Sequence, residues 1–458
     1  MKHPVTIGVI MLARNTFDFE AARGLYADIK KNLAAIPDAT FVCADDLVFE
    51  VPDLDEPIDK INKANVDGIA IISGTFHLGH LALEIAKRTN APLLLWGLPE
   101  LPYNGGKIRL NSVCGVNLNA SNLYKAGRDD FHYCISNDID MDWVDAVRIR
   151  AKLKNAKIGI LGFRAHGFFN LAFDELTLYK EIGVLIDHYE LTDIWNQPVD
   201  DAAVEARKKQ IAGLFDLSGV SGEQVQRVAE LCERFKAFMD RQGLAGLAVR
   251  CWPEFAAGYG VSPCAAMSIL QSEGYVIGCE GDVQGVVSQL MHTAMGVEQP
   301  FLADLSQVNF ETDSALMWHC GVAPCGLGDQ CCVRSLDSYY AGGRGVTADF
   351  VLKSGKVNVL RMDFARGKSR LFIECGDAIS VPKELKGTYV KVVFDKPMRE
   401  VLDTVVRNGI AHHVSLAYGE NVRPLEIYAR MSGMDVKDAS NGNQEARRQV
   451  GGNPPPRH

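Results

Sequence analysis

Two short motifs, Cys251-Trp252-Pro253-Glu254-Phe255 and Cys279-Glu280-Gly281-Asp282, lie in one stretch whose pattern predicts the fold. Glu254 follows the short apolar segment Gly246–Cys251, and Glu280 and Asp282 follow the apolar segment Tyr275–Gly278. The two segments predict buried strands, and the apolar spacing between them predicts a helix that Pro263 opens. Such a strand–helix–strand unit is typical of a parallel sheet, which binds ligands at the carboxyl ends of its strands.

Two interpretations fit the carboxylates at these strand ends. Taken singly, Glu254 or Glu280 could cap the following helix or pair with a surface lysine, because strand-to-helix junctions favour acidic caps. Two such junctions in succession favour a site, because buried carboxylates must be paired, protonated or bound to a cation. Oxygen ligands of this kind suit Mg²⁺ or Mn²⁺.

Outward from this stretch, strand and helix patterns alternate in both directions, and the pattern changes to alternating strands from about residue 304. We therefore predict an α/β fold with two doubly wound parallel-sheet domains followed by a mainly antiparallel β C-terminal domain. The predicted divisions are an N-terminal α/β domain at 1–152, a central α/β domain at 153–303, a β-rich domain at 304–435 and a disordered tail at 436–458.

Composition excludes several classes of function. The net charge of −9 argues against a nucleic-acid partner, and no apolar run is long enough to span a membrane, so we expect a cytoplasmic protein. Neither GxGxxG nor GxxxxGK[ST] follows the first strand, which argues against a dinucleotide or P-loop site. The 12 cysteines are expected to be reduced, mostly as core residues.

Polar residues at other predicted strand ends are further candidates. Arg14 and Arg164 each follow a strand, and His319 stands at the start of a Gly-rich loop, where each could contact a hydroxyl-rich ligand. The histidine pair His412-His413 follows a helix, and adjacent side chains point in different directions, so we expect only one to enter a site. The alternatives are helix caps, surface charges and satisfied core histidines.

Four stretches together resemble the L-fucose isomerase and L-arabinose isomerase superfamily, in particular its shorter fucose isomerase-like members. They are the Glu254 segment, the Glu280 segment, Gly409-Ile410-Ala411-His412-His413, and Met11-Leu12-Ala13-Arg14-Asn15-Thr16-Phe17-Asp18. The resemblance covers roughly residues 5–433. It implies a sugar substrate and an aldose–ketose isomerisation through an enediol(ate) intermediate.

The resemblance also implies the site. Glu254, Glu280 and His413 would hold a divalent metal, Mn²⁺ or another ion such as Mg²⁺ or Co²⁺, and the two glutamates would act as the acid and base. No counterpart is evident for a second metal-site histidine, so Asp282 or water would complete the shell.

Substrate contacts within the subunit are expected from Arg164 and His319. Arg14, Thr75, His77 and Asn119 resemble positions that reach a neighbour's pocket, which implies a homo-oligomer, either a trimer or a hexamer. A non-catalytic sugar-binding or regulatory protein of the same fold, and a metal-dependent sugar lyase or epimerase, are the alternatives. The three arginines Arg14, Arg164 and Arg344 would allow an anionic sugar.

Overall fold

The computed structural model describes residues 1–340 and 343–439. These residues form two compact units. The first consists of Met1–Ala151 with Arg423–Gly433, and the second consists of Lys152–Val422 with the residues from Met434 onward. Each unit is described by itself.

The first unit is built on a parallel sheet of five strands, in the order β2-β1-β3-β4-β5. The strands are β1 (Val5–Leu12), β2 (Ala39–Cys43), β3 (Gly68–Ser73), β4 (Leu93–Gly97) and β5 (Phe131–Ile135). The helices between and after them are α1 (Phe19–Leu33), α2 (Asp55–Lys63), α3 (His80–Arg88), α4 (Ser112–Lys125) and α5 (Met141–Lys154). Strands β3 and β4 are buried along their whole length, as expected for a sheet covered by helices.

The second unit begins with another parallel sheet, in the order β10-β9-β6-β7. Its strands are β6 (Lys157–Leu161), β7 (Leu185–Tyr189), β9 (Gly246–Val249) and β10 (Ile277–Gly278). Its helices are α6 (Glu175–Ile182), α7 (Leu191–Trp195), α8 (Asp201–Leu214), α9 (Gly222–Gln242), α10 (Cys264–Ser272) and α11 (Val283–Ala294). The predicted strand–helix–strand unit is confirmed here as β9, α10 and β10.

A sheet of ten strands forms the rest of the second unit, in the order β19-β16-β15-β18-β11-β12-β17-β14-β13-β8. The strands are β8 (Asp216–Gly219), β11 (Phe301–Asn309), β12 (Ser314–His319), β13 (Ser335–Tyr340), β14 (Gly345–Val351), β15 (Gly355–Ala365), β16 (Lys368–Ile379), β17 (Thr388–Phe394), β18 (His413–Tyr418) and β19 (Asp435–Lys437). Strand β16 also pairs with β17, so β16, β15, β18, β11, β12 and β17 close into a barrel-like ring of antiparallel pairs. Helix α12 (Met398–Asn408) also belongs to this unit, whereas α13 (Val422–Met431) belongs almost entirely to the first unit.

The mixed α/β fold with two parallel sheets and a mainly antiparallel C-terminal sheet is therefore confirmed. The doubly wound arrangement and the three-domain division stay predictions. Residues from both 153–303 and 304–435 share one hydrophobic core, which includes Phe255, Phe301 and Phe350.

The predicted tail begins too early, because Val436 and Lys437 belong to β19 and pair with Leu371 and Phe372. The tail residues 440–458 lie outside the described residues. Among the described helices, none combines the length and the hydropathy that crossing a bilayer requires.

Candidate functional site

The turn after β10 places Glu280 at the carboxyl end of the second parallel sheet. Glu280 and Gly281 both adopt left-handed backbone angles, with φ of 62° and 74°. A Cβ at Gly281 would lie 2.5 Å from both the Arg164 Cα and the Phe163 carbonyl oxygen, so only glycine fits beneath that loop. The Ala165 N–H donates to the Glu280 carbonyl at 2.9 Å, which fastens the same loop to the turn.

The antiparallel pairing of β11 with β18 brings a second carboxylate to this turn. Asp304 lies directly opposite His413 in the register of these strands. The His413 Nε2 is 3.2 Å from Glu280 Oε2 and 3.4 Å from Asp304 Oδ1. The His413 side chain is fully buried, and one of its ring nitrogens lies between two carboxylates that are partly buried.

The other ring nitrogen of His413 is held by a buried ion pair. Its Nδ1 is 3.0 Å from Asp282 Oδ2, and Asp282 accepts two hydrogen bonds from the Arg361 guanidinium, one of them 3.0 Å long. Burial would raise the pKa of Asp282, but Arg361 and His413 outweigh it and hold the pKa well below its usual range. The ionised Asp282 therefore fixes the proton of His413 on Nδ1 and turns Nε2 toward Glu280 and Asp304.

Three carboxylates surround the His413 ring, and their negative charge favours the imidazolium form, whose Nε2 proton a metal cation would displace. Burial opposes charging of His413, but Asp282, Glu280 and Asp304 outweigh it and raise the pKa of His413 to about 10. In the part of the chain that the structure describes, Asp304 Oδ1, His319 Nε2 and His413 Nε2 are buried without a hydrogen-bond partner. Ligand atoms of Asp304, His319 and His413 lie within 4.8 Å of one another, as do those of Glu280, His412 and His413. These residues fit a divalent cation with oxygen and imidazole ligands.

Both histidines of the pair approach Glu280, which corrects the expectation that only one would enter the site. His412 precedes β18 and is not part of it, so the alternation of side chains along a strand does not apply to the pair. The His412 Nε2 lies 3.9 Å from Glu280 Oε2. Burial would raise the pKa of Glu280, but His412 and His413 outweigh it and lower that pKa.

Glu254 stands apart from this group. Its Oε2 is 3.3 Å from the Nε of Arg250, and its side chain is 37% exposed. Among the described residues it belongs to none of the metal-capable groups, although Trp252 on the same turn donates a hydrogen bond from Nε1 to Glu280 Oε1 at 2.9 Å. The role of Glu254 as a metal ligand and acid–base group stays a prediction, and Asp304 is the carboxylate that sequence reasoning missed.

The two predicted substrate contacts of the second unit both lie near this cluster. His319 ends β12, its ring centroid is 5.5 Å from that of His413, and its Nδ1 accepts the Cys320 N–H at 2.9 Å. Because Nδ1 accepts this hydrogen bond, Nε2 is the ring nitrogen that is left to contact a ligand, as a donor to an oxygen or as a ligand of a cation. Arg164 lies over the rings of Phe163 and Phe169, and among the described residues its guanidinium has no ion-pair partner.

The four remaining predicted residues lie in the first unit and bond to one another in two pairs. The Thr75 hydroxyl accepts the Arg14 N–H at 2.8 Å, and the Asn119 amide nitrogen is 3.3 Å from His77 Nε2. Thr75, His77 and Asn119 are fully buried, and burial lowers the pKa of His77 to about 4. In this chain they hold the loop after β3 in place, and their part in a neighbour's pocket stays a prediction.

Known proteins resemble this chain over nearly its whole length. The family described as "Fucose/sulfoquinovose isomerase, N-terminal domain" matches residues 8–142. A sulfoquinovose isomerase of Priestia aryabhattai is 27% identical over 94% of this chain and 98% of its own length. One of Alkalicoccus urumqiensis is 24% identical over 94% of this chain and 99% of its own.

Among solved structures, a periplasmic sugar-binding protein of Legionella pneumophila covers 64% of this chain and 86% of its own at 11% identity, but its TM-score of 0.16 supports no conclusion. The sequence matches support an isomerase of the fucose isomerase-like superfamily, as the motifs of the chain had indicated.

Proposed function

We propose that the protein is an aldose–ketose isomerase that interconverts sulfoquinovose, an anionic sulfonated sugar, and the corresponding ketose. The observation that carries this proposal is that Glu280 and Asp304 both lie beside His413 in a chain that matches sulfoquinovose isomerases over 94% of its length. A full-length match at this identity supports the reaction, and the cluster supplies groups suited to it.

A divalent cation, with Mn²⁺ as the first choice, would be held by Glu280, His413 and Asp304, with Glu254 as a further proposed ligand. When bound, such an ion stabilises the negative charge that develops on the sugar oxygens. The chain's own contribution is to hold His413 in the tautomer that leaves Nε2 free, through Asp282 and Arg361.

The isomerisation moves a proton between C1 and C2 through an enediolate, and the two glutamates are suited to different tasks. Glu280 has one oxygen bonded to Trp252 and the other beside His413, and its lowered pKa keeps it ionised. Glu254 is half-exposed and its Oε2 accepts no hydrogen bond from the described residues. We assign Glu254 the proton transfer at carbon and Glu280 the proton transfer at the sugar oxygens.

Arg164 is the proposed partner of the sulfonate, because its cationic group lies on the loop fastened to Glu280 and is free of carboxylates among the described residues. His319 would donate to a sugar hydroxyl. As the resemblance implies, the enzyme would work as a cytoplasmic trimer or hexamer in which Arg14, Thr75, His77 and Asn119 support a pocket shared with a neighbour.

The test is turnover of sulfoquinovose by the Mn²⁺-loaded protein in D₂O, followed by proton NMR and mass spectrometry. We expect a ketose that differs from the substrate in mass only by incorporated deuterium, and loss of turnover in Glu280→Gln. Glu223→Gln is the matched control, because that side chain is 81% exposed on α9. Carbon–carbon cleavage would identify a lyase, an aldose epimer would identify an epimerase, and saturable binding without turnover would identify a binding protein.

A further inference from the structure

Four cysteines that are far apart in sequence meet in the core of the second unit. They are Cys251, Cys264, Cys279 and Cys320, with exposures of 2%, 1%, 1% and 8%. The Sγ atoms of Cys251 and Cys279 are 2.9 Å apart, and those of Cys264 and Cys320 are 3.6 Å apart. The Sγ atoms of Cys279 and Cys320 also lie within 4.8 Å of each other, and of a ring nitrogen of His319, which joins the two pairs into one cluster.

The fold explains why these thiols converge. Cys251 and Cys279 follow the adjacent parallel strands β9 and β10, so both leave the sheet at the same edge. Cys264 is the first residue of α10, and Cys320 follows β12. The four cysteines therefore come from separate parts of the chain, and no local sequence spacing predicts that they meet.

A single buried cysteine is ordinarily a small apolar core residue. Two thiol pairs joined in one cluster are different, because four sulfur ligands are what a tetrahedral thiophilic ion requires. Bonds of about 2.3 Å to such an ion place the sulfurs roughly 3.8 Å apart. The Cys264–Cys320 pair already has nearly this separation, and the Cys251–Cys279 pair would have to open by roughly 1 Å.

We propose that Cys251, Cys264, Cys279 and Cys320 form a tetrahedral thiolate site for a thiophilic divalent ion such as Zn²⁺. Each thiol releases one proton as its sulfur binds, so the ion with four thiolates carries a net charge of −2. The amino terminus of α10 at Cys264 partly offsets that charge. The proposal does not rest on the isomerase function.

The site would brace the residues of the neighbouring cluster. Cys279 is bonded directly to Glu280, and Cys320 to His319. An ion that joins the four sulfurs would tie the ends of β9, β10 and β12 to the start of α10. Its role is structural, because the sulfurs occupy all four positions of a tetrahedral ion and leave none for a substrate.

The experiment is a Co²⁺ titration of the full-length protein after removal of metals by a chelator under reducing conditions. Thiolate ligation of Co²⁺ produces an intense near-ultraviolet charge-transfer band. Oxygen and imidazole ligands do not produce such a band. We expect this band in wild type, saturating at one ion per chain and removed by Zn²⁺. It should persist in Glu280→Gln, which separates this site from the isomerase cluster.

The variants Cys264→Ser and Cys320→Ser should each lose most of the band, and circular dichroism would establish that they are folded. Cys232→Ser is the matched control, because Cys232 is equally buried but its thiol donates to the Ala266 carbonyl instead. Thiols are also counted in denatured protein that has not been exposed to a reductant. A wild type without the band overturns the proposal. The four residues are then ordinary core thiols if all 12 cysteines react, whereas Cys251 and Cys279 form a disulfide if only ten react.

Discussion

At the scale of single residues, the site depends on charges that are buried and mutually balanced. Asp282 and Arg361 are both fully buried, and Asp282 contacts His413 as well as Arg361. A buried pair of this kind adds little stability compared with apolar residues, but removal of one member leaves the other charge unpaired in the interior. The main role of the Asp282–Arg361 pair is therefore to orient the ring of His413.

Asp282→Asn should destabilise the protein by about 3 to 5 kcal/mol, because it leaves Arg361 buried without a countercharge. Urea unfolding measures this change. The matched control is Asp403→Asn, which breaks the exposed Asp403–Arg407 pair and should change stability by less than about 1 kcal/mol. Equal effects of the two substitutions would contradict the role given to the buried pair.

Arg164→Gln should raise the KM for sulfoquinovose by about 10- to 100-fold with a much smaller change in kcat, because a charge-assisted hydrogen bond of about 1.5–3 kcal/mol is lost. Steady-state kinetics measure the split. Arg227→Gln, a half-exposed arginine on α9, serves as the control. If the KM for the same sugar without its sulfonate rises equally, Arg164 does not recognise the sulfonate.

At the scale of elements, the geometry of the site is set by turns at strand ends. The turn at Glu280 and Gly281 and the loop after β6 are in backbone contact, so neither can move without the other. Close approach of two backbones is the physical reason for glycine at residue 281.

Gly281→Ala should reduce both stability and turnover, because the new Cβ would meet the backbone of Phe163 and Arg164 at 2.5 Å. Gly243→Ala is the control that separates the steric clash from the backbone strain. Gly243 also has a positive φ, 62°, but nothing lies within 4 Å of its Cβ position. The control should cost only about 1–2 kcal/mol of backbone strain. A comparable loss in both variants would show that the loop yields to the added methyl group.

A hydrogen bond to strand β16 holds the end of the described chain, just beyond β19. Glu374 in β16 accepts the Ala439 N–H just beyond β19, and burial raises the pKa of Glu374 to about 7. A carboxyl whose pKa is higher in the folded state than its ordinary 4.5 favours folding below pH 4.5, and this contribution disappears as the pH rises through about 7.

Glu374→Gln keeps the acceptor oxygen and removes the charge. Relative to wild type it should therefore gain stability as the pH rises, by up to about 3 kcal/mol above pH 7. Urea unfolding at pH 5 and pH 8 checks this, with the exposed Glu223→Gln as control. A wild-type-to-variant difference that is the same at both pH values would argue against a raised pKa.

At the scale of the whole molecule, the candidate cation cluster and the sulfur cluster both belong to the second unit. The two clusters meet at the backbone steps from Cys279 to Glu280 and from His319 to Cys320. Binding of an ion at either cluster should therefore stabilise the second unit more than the first.

Addition of Mn²⁺ to chelator-stripped protein should slow amide hydrogen exchange in peptides from residues 152–422 more than in those from residues 1–151. At 100 times Kd, the native state gains about 2.7 kcal/mol from binding. Glu280→Gln should abolish the gain, and Glu223→Gln should retain it. Protection confined to the first unit would refute the placement of the cation.

The alternation of strands and helices could be predicted without the structure, because the hydrophobic period of each segment depends only on neighbouring residues. The sequence also indicated Glu280 and His413, since both stand at junctions of apolar segments within motifs of the superfamily. Strand pairing decided the rest. Asp304 reaches His413 through the register of β11 with β18, and Arg361 reaches Asp282 across 79 positions. The four thiols meet in the same way, because contacts between distant segments follow from topology and register, which no local pattern encodes.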